Sequence, residues 1–181
     1  MRETEPSRVP PPSPARLEAA TTAVLVLDLT APREPPDAER AKLLANLGAF
    51  LERARAAAVP IFFTGIVLQI GAPADPALER RESEPLQYPD GFDKFIGGGL
   101  QRWLEDRGTK TLVITGGATN VAVMYTATAA LRSYHYQVVI PADGVYSPDA
   151  YRYEYALYQL TVLPGGTPPA QFTTLGMIEF S

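Results

Sequence analysis

The sequence predicts an α/β protein, a three-layer α/β/α sandwich built on a mainly parallel, roughly six-stranded sheet. Three observations carry this expectation. Short apolar runs rich in β-branched residues, Ala23–Leu27, Val59–Thr64, Thr111–Thr115 and Gln137–Ile140, lack the polar alternation of half-exposed strands, so both their faces should be covered. Segments with apolar residues at three- and four-residue steps separate these runs. Strands that alternate with helices pair in parallel through right-handed crossovers, which gives layers on both sides of one sheet.

The elements follow in order. Residues 1 to 18, with Pro10–Pro12 and alternating charges, bury too little apolar surface to offset chain entropy and are expected to form a flexible tail. Residues 19 to 181 are expected to form a single domain. The first strand ends at Asp28. From Asp37 to Ala58, Leu43, Leu44, Leu47, Phe50, Leu51 and Ala54 mark the surest helix, with Asp37 able to cap its first turn. Val59–Thr64 is the second strand, with its proline confined to the first residues, where a missing N–H does least harm. The stretch from Gly71 to Phe92 carries proline, glycine and charge with little period and reads as a long functional loop. Leu100, Trp103, Leu104 and Arg107 fit a short helix stopped by Gly108. After the strand at Thr111–Thr115, a turn at Gly116–Gly117 leads to a helix through Met124, Ala127, Ala130 and Leu131. Ser147 and Pro148 are expected to open a last helix as cap and first residue, and a strand near 173–178 closes the sheet.

Composition narrows the function classes. With 181 residues the chain can bury roughly two-thirds of its unfolded surface without disulfides or metals. Net charge is −4, from 16 basic and 20 acidic residues, without the clustered cations that a phosphate backbone requires, so nucleic acid is not an expected partner. No apolar run reaches the roughly 18 residues that span a bilayer, and no apolar secretion core precedes the first strand, so no membrane partner and a cytoplasmic location are expected. One histidine, His135, and no cysteine leave no transition-metal cluster and no thiol nucleophile. His135 should have a structural or surface role, at the edge opposite the site. No cofactor is expected.

Candidate chemistry gathers at strand ends, because ligands of such sheets bind beyond the carboxyl ends of the strands. Asp28 stands there, and a carboxylate beside a buried strand is costly unless it is hydrogen-bonded or used. Its bland alternative is a loop cap or a pair with a residue such as Arg33. The turn Ile114-Thr-Gly-Gly-Ala-Thr-Asn-Val-Ala-Val123 brings Gly117, Ala118, Thr119 and Ala122 to the start of a helix, whose free N–H groups and positive dipole end suit an anion. Thr119 and Asn120 would serve equally as plain helix caps. Phe92 and Phe95 could wall an apolar pocket, or be core, and Lys94 could be a surface lysine. The glycines 97 to 99 lack the strand before and the Lys-Ser/Thr after that a phosphate loop needs.

These pieces resemble the isochorismatase-like cysteine hydrolases over nearly all of residues 22 to 180. Val24–Leu29 is similar to the family's strand ending in a catalytic Asp, Phe95–Leu100 to its Phe-x-Gly-Thr-x-Leu segment, and Asp143-Gly144 to its post-strand Asp. The turn at 114–123 resembles its Gly-x-Ala-Thr-x-x-Cys-Val turn, with Ala122 at the position of the nucleophile. The resemblance implies Asp28 as general acid/base, a lysine that stabilises developing negative charge, a cis peptide at Gly117–Ala118, and amides of Ala118 and Ala122 as an anion site. Six positions before Phe95, where the family carries its lysine, this chain has Pro89, and the nearest lysine is Lys94. The Asp-x-His-x-His metal pattern of nicotinamidases is absent. The resemblance therefore implies a small-molecule hydrolase working without cysteine, as isochorismatases do when an Asp protonates a vinyl ether, and a homodimer or higher homo-oligomer. Two alternatives stay open: an isomerase, lyase or cyclase using the same acid, and an inactive ligand-binding or subunit-interaction protein.

Overall fold

The computed structural model describes residues 9–31, 37–97, 99–163 and 169–181. Its main sheet is parallel throughout and contains β2 (Thr22–Leu27), β3 (Ile61–Thr64), β4 (Leu86–Gln87), β5 (Thr111–Gly117), β6 (Gln137–Pro141), β7 (Val145–Tyr146) and β8 (Gln171–Thr173). The order is β4-β3-β2-β5-β6-β8, and β7 takes over beside the last two residues of β5 where β6 has ended. A separate parallel pair joins β1 (Ala15–Leu17) to β9 (Ile178–Phe180).

The three layers follow from strand alternation. Val24, Val26, Ile61, Phe63, Val113 and Val139 face α1 (Ala38–Ala56), which buries Leu43, Leu44, Leu47, Phe50, Leu51 and Ala54 against them. Ala23, Leu25, Leu27, Phe62, Leu112, Ile114, Val138 and Ile140 point the other way. There they meet α2 (Leu100–Glu105), α3 (Met124–Arg132) and α4 (Ala150–Thr161). Both faces of each central strand are thus dry, which is why the strands read as continuous apolar runs.

Several expectations shift. The tail expected over residues 1 to 18 gives way to strand at Ala15–Leu17, whose alternating buried, exposed, buried pattern docks two side chains beside β9; residues 1–8 lie outside the described residues. The terminal strand expected near 173–178 is two strands in different sheets, β8 and β9, separated by a single turn at Leu175–Met177. The loop at 71–92 contains the edge strand β4 and an isolated bridge from Thr30 to Ala74. The last helix starts later than Ser147-Pro148 suggests, because the Asp149 carboxylate accepts from Arg152 N–H and so supplies the cap.

One glycine decides how closely the central strands meet. Gly116 pairs with Leu27 and has φ 108°, and a Cβ there would stand 2.1 Å from the Leu27 carbonyl oxygen. Only glycine fits both the conformation and the contact.

Candidate active site at the ends of the central strands

The register of β2 with β5 fixes the first part of the site. Leu27 lies opposite Gly116, so the next residue, Asp28, stands level with Gly117 where the chain leaves the sheet on both strands. Asp28 has φ 55°, a left-handed conformation that Asp tolerates better than most residues. That turn ends the strand and aims the side chain out of the ladder. Its N–H still donates to the Thr64 carbonyl at 3.0 Å.

Both carboxylate oxygens of Asp28 have partners. The Thr64 hydroxyl, at the end of β3, donates to Oδ1 at 2.8 Å. Lys94 Nζ lies 2.8 Å from Oδ2, with the lysine side chain 3% and the aspartate side chain 11% exposed. The ammonium also donates to the Gly91 carbonyl at 3.2 Å. Lys94 is therefore neither a surface lysine nor a snorkelling one. The sequence offset that seemed to remove a lysine from the site is absorbed by the loop, and the ammonium arrives from five residues past Pro89. Burial of an oppositely charged pair, with each group hydrogen-bonded again, meets the condition under which such a pair is tolerated. Next door, burial pushes the Asp93 carboxyl above its ordinary range, partly offset by the Phe95 N–H that donates to it.

The turn after β5 completes the cluster. The Gly117–Ala118 peptide is cis. Thr119–Val123 form a wide π-type turn whose N–H groups lead directly into α3, and Ala122 is 1% exposed within it. Four residues on, Thr126 Oγ1 accepts from the Lys94 N–H at 3.1 Å, so the helix that carries Ala122 also holds the loop that carries Lys94. Asp28, Lys94 and the head of this helix are thereby joined by direct contacts. Thr119 does not cap the helix: its hydroxyl is buried without a hydrogen-bond partner.

The remaining candidates separate. Phe95 packs in the core, stacked on Tyr134 with ring centroids 4.3 Å apart, so it is not a pocket wall. Phe92 is 63% exposed and leans on Tyr125 beside the loop. His135 is exposed at φ 59°, in the turn that precedes β6 at the opposite edge of the sheet. Asp143 accepts from the Leu175 N–H at 2.7 Å and fastens a loop. Arg33 and Gly98 lie outside the described residues. Thr64 and Thr126 were missed in the sequence, since a threonine in a strand or helix reads simply as a β-branched residue. A cleft of about 430 Å³ between α1 and the start of α4, lined by Lys42, Asn46, Tyr146 and Tyr153 among others, borders none of Asp28, Lys94 and Ala122. Among the described residues no group of His, Cys, Asp and Glu could hold a metal ion, and no helix is long and apolar enough to cross a membrane.

A parallel three-layer sandwich with an acid and a lysine paired at the ends of its central strands is the architecture of an isochorismatase-like hydrolase. The Isochorismatase domain model matches residues 22–169, and the chain belongs to that family. Solved structures agree on the fold. An isochorismatase family protein from Burkholderia thailandensis is 24% identical, with 92% of this chain and 97% of that one covered at a TM-score of 0.70. An isochorismatase-like hydrolase from Alkaliphilus metalliredigens is 24% identical, with 86% and 95% covered at 0.73. A nicotinamidase from Staphylococcus aureus is 20% identical, with 86% and 99% covered at 0.72. No curated protein matches the chain significantly. One of the similar structures, from Pseudomonas syringae pv. phaseolicola, is that of a cysteine hydrolase, whereas this chain has no cysteine at all.

Proposed function

We propose that the chain is a small-molecule hydrolase in which Asp28 transfers the proton as general acid/base, Lys94 balances the charge beside it, and no covalent enzyme intermediate forms. The observation that supports this is the buried 2.8 Å pair of Asp28 and Lys94 beside a helix that opens on Ala122 instead of a thiol. An acid–lysine pair without a nucleophile suits substrates that protonation alone activates. A vinyl ether is such a substrate. Asp28, in the protonated form of its working cycle, delivers a proton to the terminal alkene carbon, and the ether oxygen stabilises the resulting oxocarbenium ion. Water adds to the carbon that bears the ether oxygen, the hemiketal collapses to an alcohol and a ketone, and the proton released returns to Asp28. Amides of Ala118 and Ala122, at the helix start, suit the negative group of an acidic substrate. The same fold is expected to assemble as a homodimer or higher homo-oligomer.

The test is a panel of carboxylated vinyl ethers, lactones and simple amides, followed by release of alcohol and ketone. Vinyl ether turnover that falls at least about a hundredfold in Asp28→Asn supports the reading. Proton exchange with deuterated solvent without added water would make the chain an isomerase or lyase instead. Tight binding without turnover, undiminished in Asp28→Asn, would make it a binding protein.

A further inference from the structure

Lys94 reaches Asp28 from the irregular stretch between β4 and α2, so something in this chain must fix that loop. The contacts point to one side chain. Thr126 is fully buried on α3, and its Oγ1 accepts from the Lys94 N–H at 3.1 Å while lying 3.4 Å from the Phe92 carbonyl. A helical threonine ordinarily returns its hydroxyl to the carbonyl four residues earlier, and Thr128 does so, donating to Met124 at 2.7 Å. Thr126, two residues away on the same helix, instead spends its hydroxyl on the loop. Besides the Lys94–Asp28 ion pair and the packing of Phe92 and Phe95, the loop's other hydrogen bonds among the described residues are short-range, such as the Phe95 N–H to Asp93 and the Lys94 ammonium to the Gly91 carbonyl. The hydrogen bonds that join the main chain of residues 92–94 to α3 both meet at Thr126, which accepts from the Lys94 N–H and donates to the Phe92 carbonyl, 32 and 34 residues apart along the chain.

We propose that Thr126 is a positioning residue: it clamps the Lys94 main chain so that the ammonium meets Asp28, and it ties that meeting to the helix carrying Ala122. The proposal rests on the reading of Asp28 and Lys94 as the working pair. It makes no contact with substrate and acts only through Lys94.

The chain has three lysines, Lys42, Lys94 and Lys110, of which only Lys94 is buried, so its ammonium can be observed by itself in protein labelled with ¹⁵N-lysine. Exposed ammonium protons exchange with water too fast to be seen near neutral pH, and those of Lys94, held by Asp28 and Gly91, are expected to give one signal. Thr126→Val, which keeps shape and loses the hydroxyl, is expected to broaden or erase that signal in folded protein, and Thr126→Ser to retain it. Once a substrate is in hand, kcat should fall about tenfold in the valine variant with KM changed less than about twofold, and the serine variant should recover it, as loss of one buried hydrogen bond implies. A folded Thr126→Val with an unaltered Lys94 signal overturns the proposal. So does a Thr126→Ser variant that loses the signal, which decides the matter even if the valine variant does not fold. If the signal responds as expected while the wild-type protein turns over nothing, positioning stands and the hydrolase reading fails.

Discussion

Removing the lysine from the Asp28–Lys94 pair should destabilise the protein far more than removing both charges together. The two charged atoms are 2.8 Å apart, and at an effective dielectric constant of about 20 their attraction is about 6 kcal/mol. Desolvation of both groups cancels much of this in the native protein, so the pair itself adds little net stability. Lys94→Met keeps the length of the side chain and strands the carboxylate, which is nine-tenths covered, with the Thr64 hydroxyl as its remaining side-chain donor. Breaking a buried pair in this way costs about 3–5 kcal/mol, and because Asp28 retains some contact with water the lower end applies, about 3 kcal/mol. Asp28→Asn in the same chain removes the stranded charge, tolerates φ 55°, and still offers an oxygen to Thr64. The double variant should therefore regain most of the loss. Urea unfolding of the wild type, the two single variants and the double variant gives the coupling energy directly, and about 2 kcal/mol or more is expected. A coupling below about 0.5 kcal/mol, the level of unconnected sites, would refute the pair and with it the site built upon it.

Other consequences can be checked alongside. Gly116→Ala should lose at least about 3 kcal/mol or fail to accumulate as folded protein, since its Cβ would meet the Leu27 carbonyl at 2.1 Å; thermal unfolding within about 1 kcal/mol of wild type contradicts the register of β2 and β5. Arg55 donates from Nε and Nη2 to the two Glu84 oxygens at 2.7 and 2.9 Å with both side chains buried, so Glu84→Gln should cost about 3 kcal/mol in a denaturant titration. Asp37 caps α1 and accepts from the Tyr146 hydroxyl at 2.6 Å, and the Tyr146 hydroxyl, followed by the Arg40 N–H, holds its carboxyl below the usual range. A pKa lower in the folded than in the unfolded chain means that this stabilisation is present above the unfolded value and is lost as pH falls through the folded one. The stability gap between wild type and Asp37→Ala should therefore be full at pH 7 and close below about pH 4; a gap that widens on acidification would reverse the assignment.

Much of the architecture was legible because it rests on burial. A strand covered on both faces must be apolar at every position, and β2, β3, β5 and β6 announce themselves that way. The same rule is silent for β4, two residues long, and for β1, whose three residues follow prolines. Asp28 was visible because an acid at the end of a dry strand needs a reason. The lysine was harder. Counting back from Phe95 assumes a loop of fixed length, and loops absorb insertions at little cost. A better signal was local: among the three lysines, Lys94 is the one flanked by Phe92 and Phe95. Thr64 and Thr126 left no trace at all, because a hydroxyl that matters and a hydroxyl that merely accompanies a β-branched carbon are the same letter.

A helix that opens on a methyl group has a chemical consequence of its own. Enzymes that attack through sulfur are poisoned by peroxide, by alkylating reagents and by heavy-metal ions, because the thiolate that makes them reactive is also the first atom such agents find. Ala122 presents nothing to oxidise or to cap, and no second thiol elsewhere in the chain could form a mixed disulfide. Turnover by the proposed mechanism should therefore withstand peroxide and thiol-alkylating reagents that silence an enzyme attacking through sulfur.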